Sequence, residues 1–254
     1  MAQAADWRGY LYGFHAAHAG VTERVLARAT GRAGGDPYRW LVEPLRDADA
    51  PLLDLACGSA PTRALLPGVP WVGVDLSAAE LALAVAGGRT PVVRGRADVL
   101  PVADGAIGAV CAAMCFQVLE PLDGVLDELR RVLRGDGRLV ALVPARASWT
   151  GVLPWLHVLR ALGVRTLRWP NPQALDGLGK VLRAAGFAVD ADERRVFRLA
   201  VETAADAELV VDSLYLPDVD EERIAAAKQA LAGWARPGRR LPLPLRRVVA
   251  HLPG

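Results

Sequence analysis

Lysine is almost missing from this chain. Of its 254 residues only Lys180 and Lys228 are lysines, and arginine supplies the remaining positive charge. With the many alanines this follows a coding bias and carries little physical information. Nor is there an excess of charge of one sign: 30 basic and 28 acidic residues leave a formal net charge of +2. That balance argues against a nucleic-acid or membrane partner. Cysteine is scarce and odd in number, and Cys57, Cys111 and Cys115 contain no CxxC pair. Buried thiols in a reducing compartment are expected rather than a disulfide framework. Residues 1–20 hold neither a basic leader nor an apolar signal core. The longest unbroken apolar stretch, residues 109–116, is far short of the ~20 residues that span a membrane. A cytoplasmic location follows as an expectation. No histidine–acid pair has metal-ligand spacing, so no metal is expected. Repeats and low-complexity linkers are also absent, which makes one domain over 1–254 the simplest division.

What is present is an ordinary globular composition, 52% hydrophobic and 23% charged, long enough for one large α/β domain. The organising stretch is PLLDLACGSA at 51–60. Leu52, Leu53 and Leu55 suit a buried parallel strand. Asp54 lies near its tip, and a turn of small residues follows. About twenty residues on, Trp71-Val72-Gly73-Val74 forms a second strand ending in Asp75. A strand, a tight turn, a helix and a second strand ending in an acid describe a nucleotide-type pocket.

Around that core, 6–30 reads as helical with an interruption at Gly20, and Asp36-Pro37 opens another helix. Residues 1–46 thus form a helical cap before the first core strand. Residues 61–66 are a short helix. Ser77 and Glu80 stand in capping-box spacing and start a helix running to about residue 86. Strands follow at 91–94 and 107–114. Asp123 caps a helix carrying Val125, Leu126, Leu129, Val132 and Leu133; Gly135 stops it, and Asp136-Gly137 turns into a strand at 138–143. The 51–143 core then gives way to 145–254. There a helix begins near Pro154, 169–172 is a rigid loop, and 173–185 is a helix closed by Gly186. A strand at 187–201 breaks at 190–192, helices cover 204–214 and 220–234, and 243–252 is the last strand. The alternation predicts an α/β fold: a doubly wound, mostly parallel, seven-stranded sheet with helices on both faces.

Four segments in this order, LLDLACGSA, WVGVDLS, RADVLPVADGAIGAV and LDELRRVLRGDGRLVALVP, resemble the class I methyltransferases that use S-adenosylmethionine. The resemblance covers roughly 51–143 and implies a Rossmann-like sheet with S-adenosylmethionine as cofactor. By position it implies that Asp54, Ala56, Cys57 and Gly58 lie against the methionine part. Asp75 would bind the ribose hydroxyls with Leu76 beside the adenine. Ala97, Asp98 and Val99 would line the adenine edge, and Met114 and Gln117 would border the sulfonium and the substrate. In one respect the chain departs from the family: Ala56 and Ala60 replace the first and third glycines of the first motif, and positions needing φ > 0 would resist alanine. A nicotinamide cofactor is the competing ligand. Its third fingerprint glycine would fall at Pro61, and the ADVLP segment has no place in that fingerprint. A family member that binds ligand without transferring methyl is a second alternative.

His15 and His18, three apart on a helix, share a side of it. They are candidates for a general base, against packed or surface imidazoles as the plainer use. His157 is a candidate substrate contact, and His251 is read as structural. Tyr10, Tyr12 and Phe14 are candidates for an aromatic lid over an apolar acceptor pocket, against ordinary core packing. Trp149, Trp155 and Trp169 with Leu153 and Leu156 would wall that pocket. The expected acceptor is a small molecule, flat and apolar in the manner of a natural-product intermediate.

Overall fold

The computed structural model describes residues 6–32, 34–48, 51–146 and 149–253, and gives only the backbone course of 149–152. Its centre is a single sheet. The first core strand, β2 (Leu52–Leu55), is buried along its whole length. It pairs in parallel with β3 (Trp71–Asp75) on one side and with β5 (Ile107–Ala113) on the other. Next to β3 lies β4 (Val92–Arg94), and next to β5 lies β6 (Leu133–Pro144), both parallel to their neighbours. Beyond β6 the sheet turns antiparallel through β8 (Arg240–His251) and β7 (Ala188–Ala200). Reversal of winding between β2 and β5 opens a crevice at the carboxyl ends of the strands, where α/β sheets bind ligands.

An eighth strand was not expected from the sequence. The N-terminal helix ends at Arg28, and β1 (Ala29–Thr30) pairs antiparallel with Leu199 and Arg198 at the sheet edge. Two residues are too few to carry an alternating pattern. Other boundaries moved for local reasons. The helix α5 (Leu122–Val132) starts after Pro121 with no side-chain cap, so Asp123 lies in its first turn and favours the helix dipole instead. That helix ends at Val132, before Gly135, because Leu133 already pairs with Ile107. Pro154 lies inside α6 (Trp149–Leu162) rather than at its start. The expected break at 190–192 is a bulge, with the register shifting between Val189 and Ala191.

Helices cover both faces. On one side α5 and α7 (Ala174–Ala184) bury Val125, Leu129, Leu178 and Leu182 against Leu53, Val110 and Leu139. On the other, α3 (Pro37–Val42) and α4 (Ala78–Ala86) bury Trp40, Leu41 and Leu81 against Leu52, Cys111 and Val140. A third apolar cluster joins the two ends of the chain. Here α1 (Trp7–Ala17) and α2 (Val21–Arg28) contribute Trp7, Phe14, Val21 and Val25. These pack with Val158 and Leu162 of α6, Leu209 and Val210 of α8 (Ala204–Asp212), and Leu231 of α9 (Glu221–Trp234). The N-terminal cap and the C-terminal helices are therefore one packed body over the strand tips. Among the described residues no helix is long and apolar enough to cross a membrane.

Candidate active site

After Leu55 the chain turns with every second residue left-handed: Ala56 at φ 51°, Gly58 at 54° and Ala60 at 57°. Alanine therefore occupies the two positions where it was expected to be resisted, each at a cost of about 1–2 kcal/mol. Hydrogen bonds fix the path: Cys57 N donates to Val74 O at 3.1 Å, and Ala60 N to Cys57 O at 2.8 Å. Gly73 makes room beneath. A Cβ there would lie 2.6 Å from the Trp71 ring and 2.7 Å from Cys57 Sγ. The loop can thus press onto β3 and bring Gly58 N within 2.8 Å of Asp75 Oδ2.

Three acids converge behind this loop. Asp75 takes one backbone N–H on each oxygen, from Gly58 at 2.8 Å and from Ser77 at 2.8 Å. That fixes its plane while leaving further lone pairs on both oxygens. Burial raises its pKa from the ordinary carboxylate value against the lowering pull of those two bonds. Asp54 is 1% exposed; it accepts from the Thr62 hydroxyl, while its Oδ1 is buried without a partner. Burial pushes its carboxyl up to about 7. Glu80, read from spacing as a cap, completes only half of a capping box. Ser77 Oγ accepts from Glu80 N at 3.3 Å, but the Glu80 carboxylate reaches away, accepting from Gly20 N at 3.0 Å and facing His15 Nδ1 at 3.0 Å.

These groups line one cavity of about 260 Å³. Of the expected cofactor residues, Asp54, Ala56, Cys57, Gly58, Asp75, Leu76, Ala97, Asp98 and Met114 all line it. Val99 does not, and is 66% exposed. Asp98 is held by Arg96 through Nε at 2.9 Å and Nη2 at 2.5 Å, which lowers its pKa. Gln117 also lies off the cavity. It is 1% exposed, and its amide donates to Met114 O at 2.5 Å, supporting the left-handed Met114 at φ 57°.

Of the histidines only His15 lines the cavity. His18 turns the other way, stacking on Phe14 at 4.8 Å with Nε2 3.9 Å from Asp212. His157 stacks on Trp234 at 5.1 Å, away from the cavity, and His251 pairs with Asp190 at 2.9 Å. Tyr12 lines the cavity and is 50% exposed, whereas Phe14 is core. Among the described residues no tryptophan lines the cavity, so the expected wall is not seen there. Trp155 Nε1 donates to Pro242 O at 2.6 Å, Trp169 stands edge-on to Tyr215, and the Trp149 side chain lies outside the described residues. Sequence reasoning missed Glu80, Tyr215, Glu23 and Tyr38 as lining residues. Only Glu80 carried a signal, its spacing from Ser77.

A doubly wound sheet, a small-residue turn and an acid at the next strand tip make this crevice a candidate nucleoside site. Comparison narrows this. A family model described as a methyltransferase domain matches residues 53–141. The demethylmenaquinone methyltransferase of Thermus thermophilus is 32% identical over 173 residues, 57% of this chain and 77% of that protein. The malonyl-[acyl-carrier protein] O-methyltransferase of Alcanivorax borkumensis is 33% identical over 189 residues, 70% of this chain. The match spans only 59% of that relative's length. Among solved structures the [4+2]-cyclase SpnF superposes with a TM-score of 0.61 at 20% identity, covering 97% of this chain and 96% of that one, and shares the fold. The chain belongs to the class I S-adenosylmethionine-dependent methyltransferases.

Proposed function

We propose that the protein transfers a methyl group from S-adenosylmethionine to a small-molecule acceptor with a flat apolar face, of the kind found among natural-product intermediates. Asp75 carries this reading: a carboxylate pinned by two backbone donors at 2.8 Å keeps spare lone pairs for a sugar diol. The residues present fit the donor. A buried Asp54 oxygen without a partner suits its ammonium group, and the loop over Ala56, Cys57 and Gly58 admits its methionine chain closely. Leu76, Ala97 and Asp98 border the place for its adenine, and Met114 the place for its sulfur. Acids lining the cavity favour a cation.

The bound donor supplies an electrophilic methyl group on a positively charged sulfur. The chain's own work is to align the acceptor, exclude water and, where the acceptor carries a proton, remove it. Leu11, Tyr12, Val118 and Leu119 provide apolar and aromatic lining on the cap side, and α1 shields the crevice. Of His15, His18 and Gln117, His15 lines the cavity, which supports it as the group that finally holds such a proton.

Calorimetric titration with S-adenosylhomocysteine, S-adenosylmethionine and a nicotinamide dinucleotide tests the reading. Binding of the first two is expected, weakened about 100-fold in Asp75→Ala through loss of two charge-assisted hydrogen bonds. Heat from the dinucleotide alone would overturn it.

A further inference from the structure

His15 is not a free imidazole beside the cavity but the middle of a chain of three side chains. Its Nδ1 lies 3.0 Å from Glu80 Oε1 and its Nε2 3.0 Å from Tyr215 Oη. Glu80 is 4% exposed on its side chain, and its other oxygen is committed to Gly20 N. A carboxylate only accepts, so the proton of a neutral His15 lies on Nδ1 and Nε2 is the bare nitrogen. Burial raises the pKa of Tyr215 well above that of a free phenol, so its hydroxyl stays protonated and donates to Nε2. The phenol ring is clamped edge-on by Phe14 at 4.7 Å and Trp169 at 5.7 Å. Both Tyr215 and His15 line the cavity.

With its proton directed at His15, the Tyr215 oxygen has lone pairs for one further donor, and Tyr215 lines the cavity from which an acceptor would approach. We propose that Tyr215 is the residue that receives the acceptor's proton, with His15 and Glu80 as the sink behind it, and that the acceptor is a hydroxyl compound, a phenol or an enol. This rests on the methyl-transfer reading. As the acceptor oxygen bonds to the methyl carbon, the carbon–sulfur bond breaks and the sulfide leaves with the electron pair. The acceptor's proton passes to Tyr215 Oη, the Tyr215 proton passes to His15 Nε2, and the imidazolium so formed faces the Glu80 carboxylate. A thioether or tertiary amine has no proton to lose, and a carboxylic acid is already ionised near neutral pH. A phenol or enol, with a pKa near 10, gains most from such a relay.

Other ionisable groups lie around the relay. Asp75 of β3 lies near His15, and Glu80 of α4 faces it directly. Tyr10 and Cys115 lie near Tyr215. His18, on the same helix, faces Asp212 instead.

Two measurements on the full chain decide the matter. In donor-free protein above pH 7, nitrogen NMR is expected to show His15 protonated at Nδ1 and bare at Nε2, with the Nε2 resonance shifting in Tyr215→Phe. With tritium-labelled S-adenosylmethionine and 2-naphthol, Tyr215→Phe is expected to lower kcat about 100-fold, with KM and the affinity for S-adenosylhomocysteine within about twofold. Glu80→Gln keeps its single amide oxygen for Gly20 N and turns its NH2 toward His15 Nδ1, so the imidazole proton is expected to move to Nε2 and kcat to fall about as far as in Tyr215→Phe, which a purely structural role would not do. A proton on Nε2, or a Tyr215→Phe kcat within about threefold of the parent, overturns the relay while leaving the donor reading intact. The NMR measurement needs no acceptor and is decisive by itself. Absence of S-adenosylhomocysteine binding by the parent protein would instead overturn the function proposed above.

Discussion

Asp54 and Asp75 show what burying a carboxylate beside a cavity does to the stability of the fold. Burial raises both pKa values, that of Asp54 to about 7. An unfolded aspartate titrates near 3.9, so between about pH 4 and pH 7 the folded state binds the extra proton. The stability this contributes is complete below about pH 4 and is lost as pH rises through 7. Thermal denaturation of the donor-free protein is therefore expected to show Tm falling over that interval. Asp54→Asn should raise stability by on the order of 1–3 kcal/mol at pH 8, leave it unchanged at pH 4, and abolish donor binding. In the parent protein a cationic donor favours ionised Asp54, so its Kd should tighten as pH rises from 6 to 8, as calorimetry can check. The left-handed alanines give a second residue-scale expectation. Ala56→Gly relieves the steric cost against the flexibility of glycine in the unfolded chain, a net gain of about 0.5–1 kcal/mol by urea denaturation. Ala60 is wholly buried, and loss of its methyl costs about 0.8 kcal/mol, so Ala60→Gly should come out close to neutral. The sequence located these positions but not their tolerance, because hydrogen bonds to Val74 and Asp75 on another strand hold the backbone there.

Between β5 and α5 the chain depends on a loop far along the sequence. Asn171 donates through Nδ2 to Phe116 O at 3.0 Å and Leu119 O at 2.6 Å, and its own N–H donates to Gln117 O at 3.1 Å. Asn171→Ala would strand two carbonyls, and a loss of about 2–4 kcal/mol is expected in urea denaturation, with weaker donor binding through Met114. Gly73→Ala should cost about 1–3 kcal/mol by overpacking against Trp71 and Cys57. At this scale the elements themselves were legible. Caps at Asp36 and Ser77, the apolar stripe of α5 and the acid-tipped strands all stand where spacing placed them. Side-chain direction was not. Gln117 sits on the right turn, yet its amide serves Met114 rather than the cavity, and a linear pattern holds no record of which way an amide turns.

Across the whole molecule the C-terminal strands and the N-terminal cap are locked together. Arg247 of β8 donates to Trp40 O at 2.6 Å and to Glu43 at 3.0 Å, reaches Glu193 of β7, and lies 4.9 Å from the Trp40 ring. Its side chain is 8% exposed. Arg247→Leu is expected to cost about 2–4 kcal/mol in urea denaturation, below the loss for a fully buried pair because the glutamates are half exposed. The sheet class could be read from alternation. The eighth strand and the His15–Tyr215 contact could not, since each joins residues at least 168 positions apart and no local window contains both partners. That separation orders the protein's birth. Ribosomes release the amino end first, so the roof helix emerges long before Leu199 or Tyr215 exists to receive it. The half that carries the acid-tipped strands can condense while α1 still trails in solvent. Only when the last third of the polypeptide leaves the exit tunnel can the chamber close, so nascent chains halted short of residue 215 should fail to retain ligand.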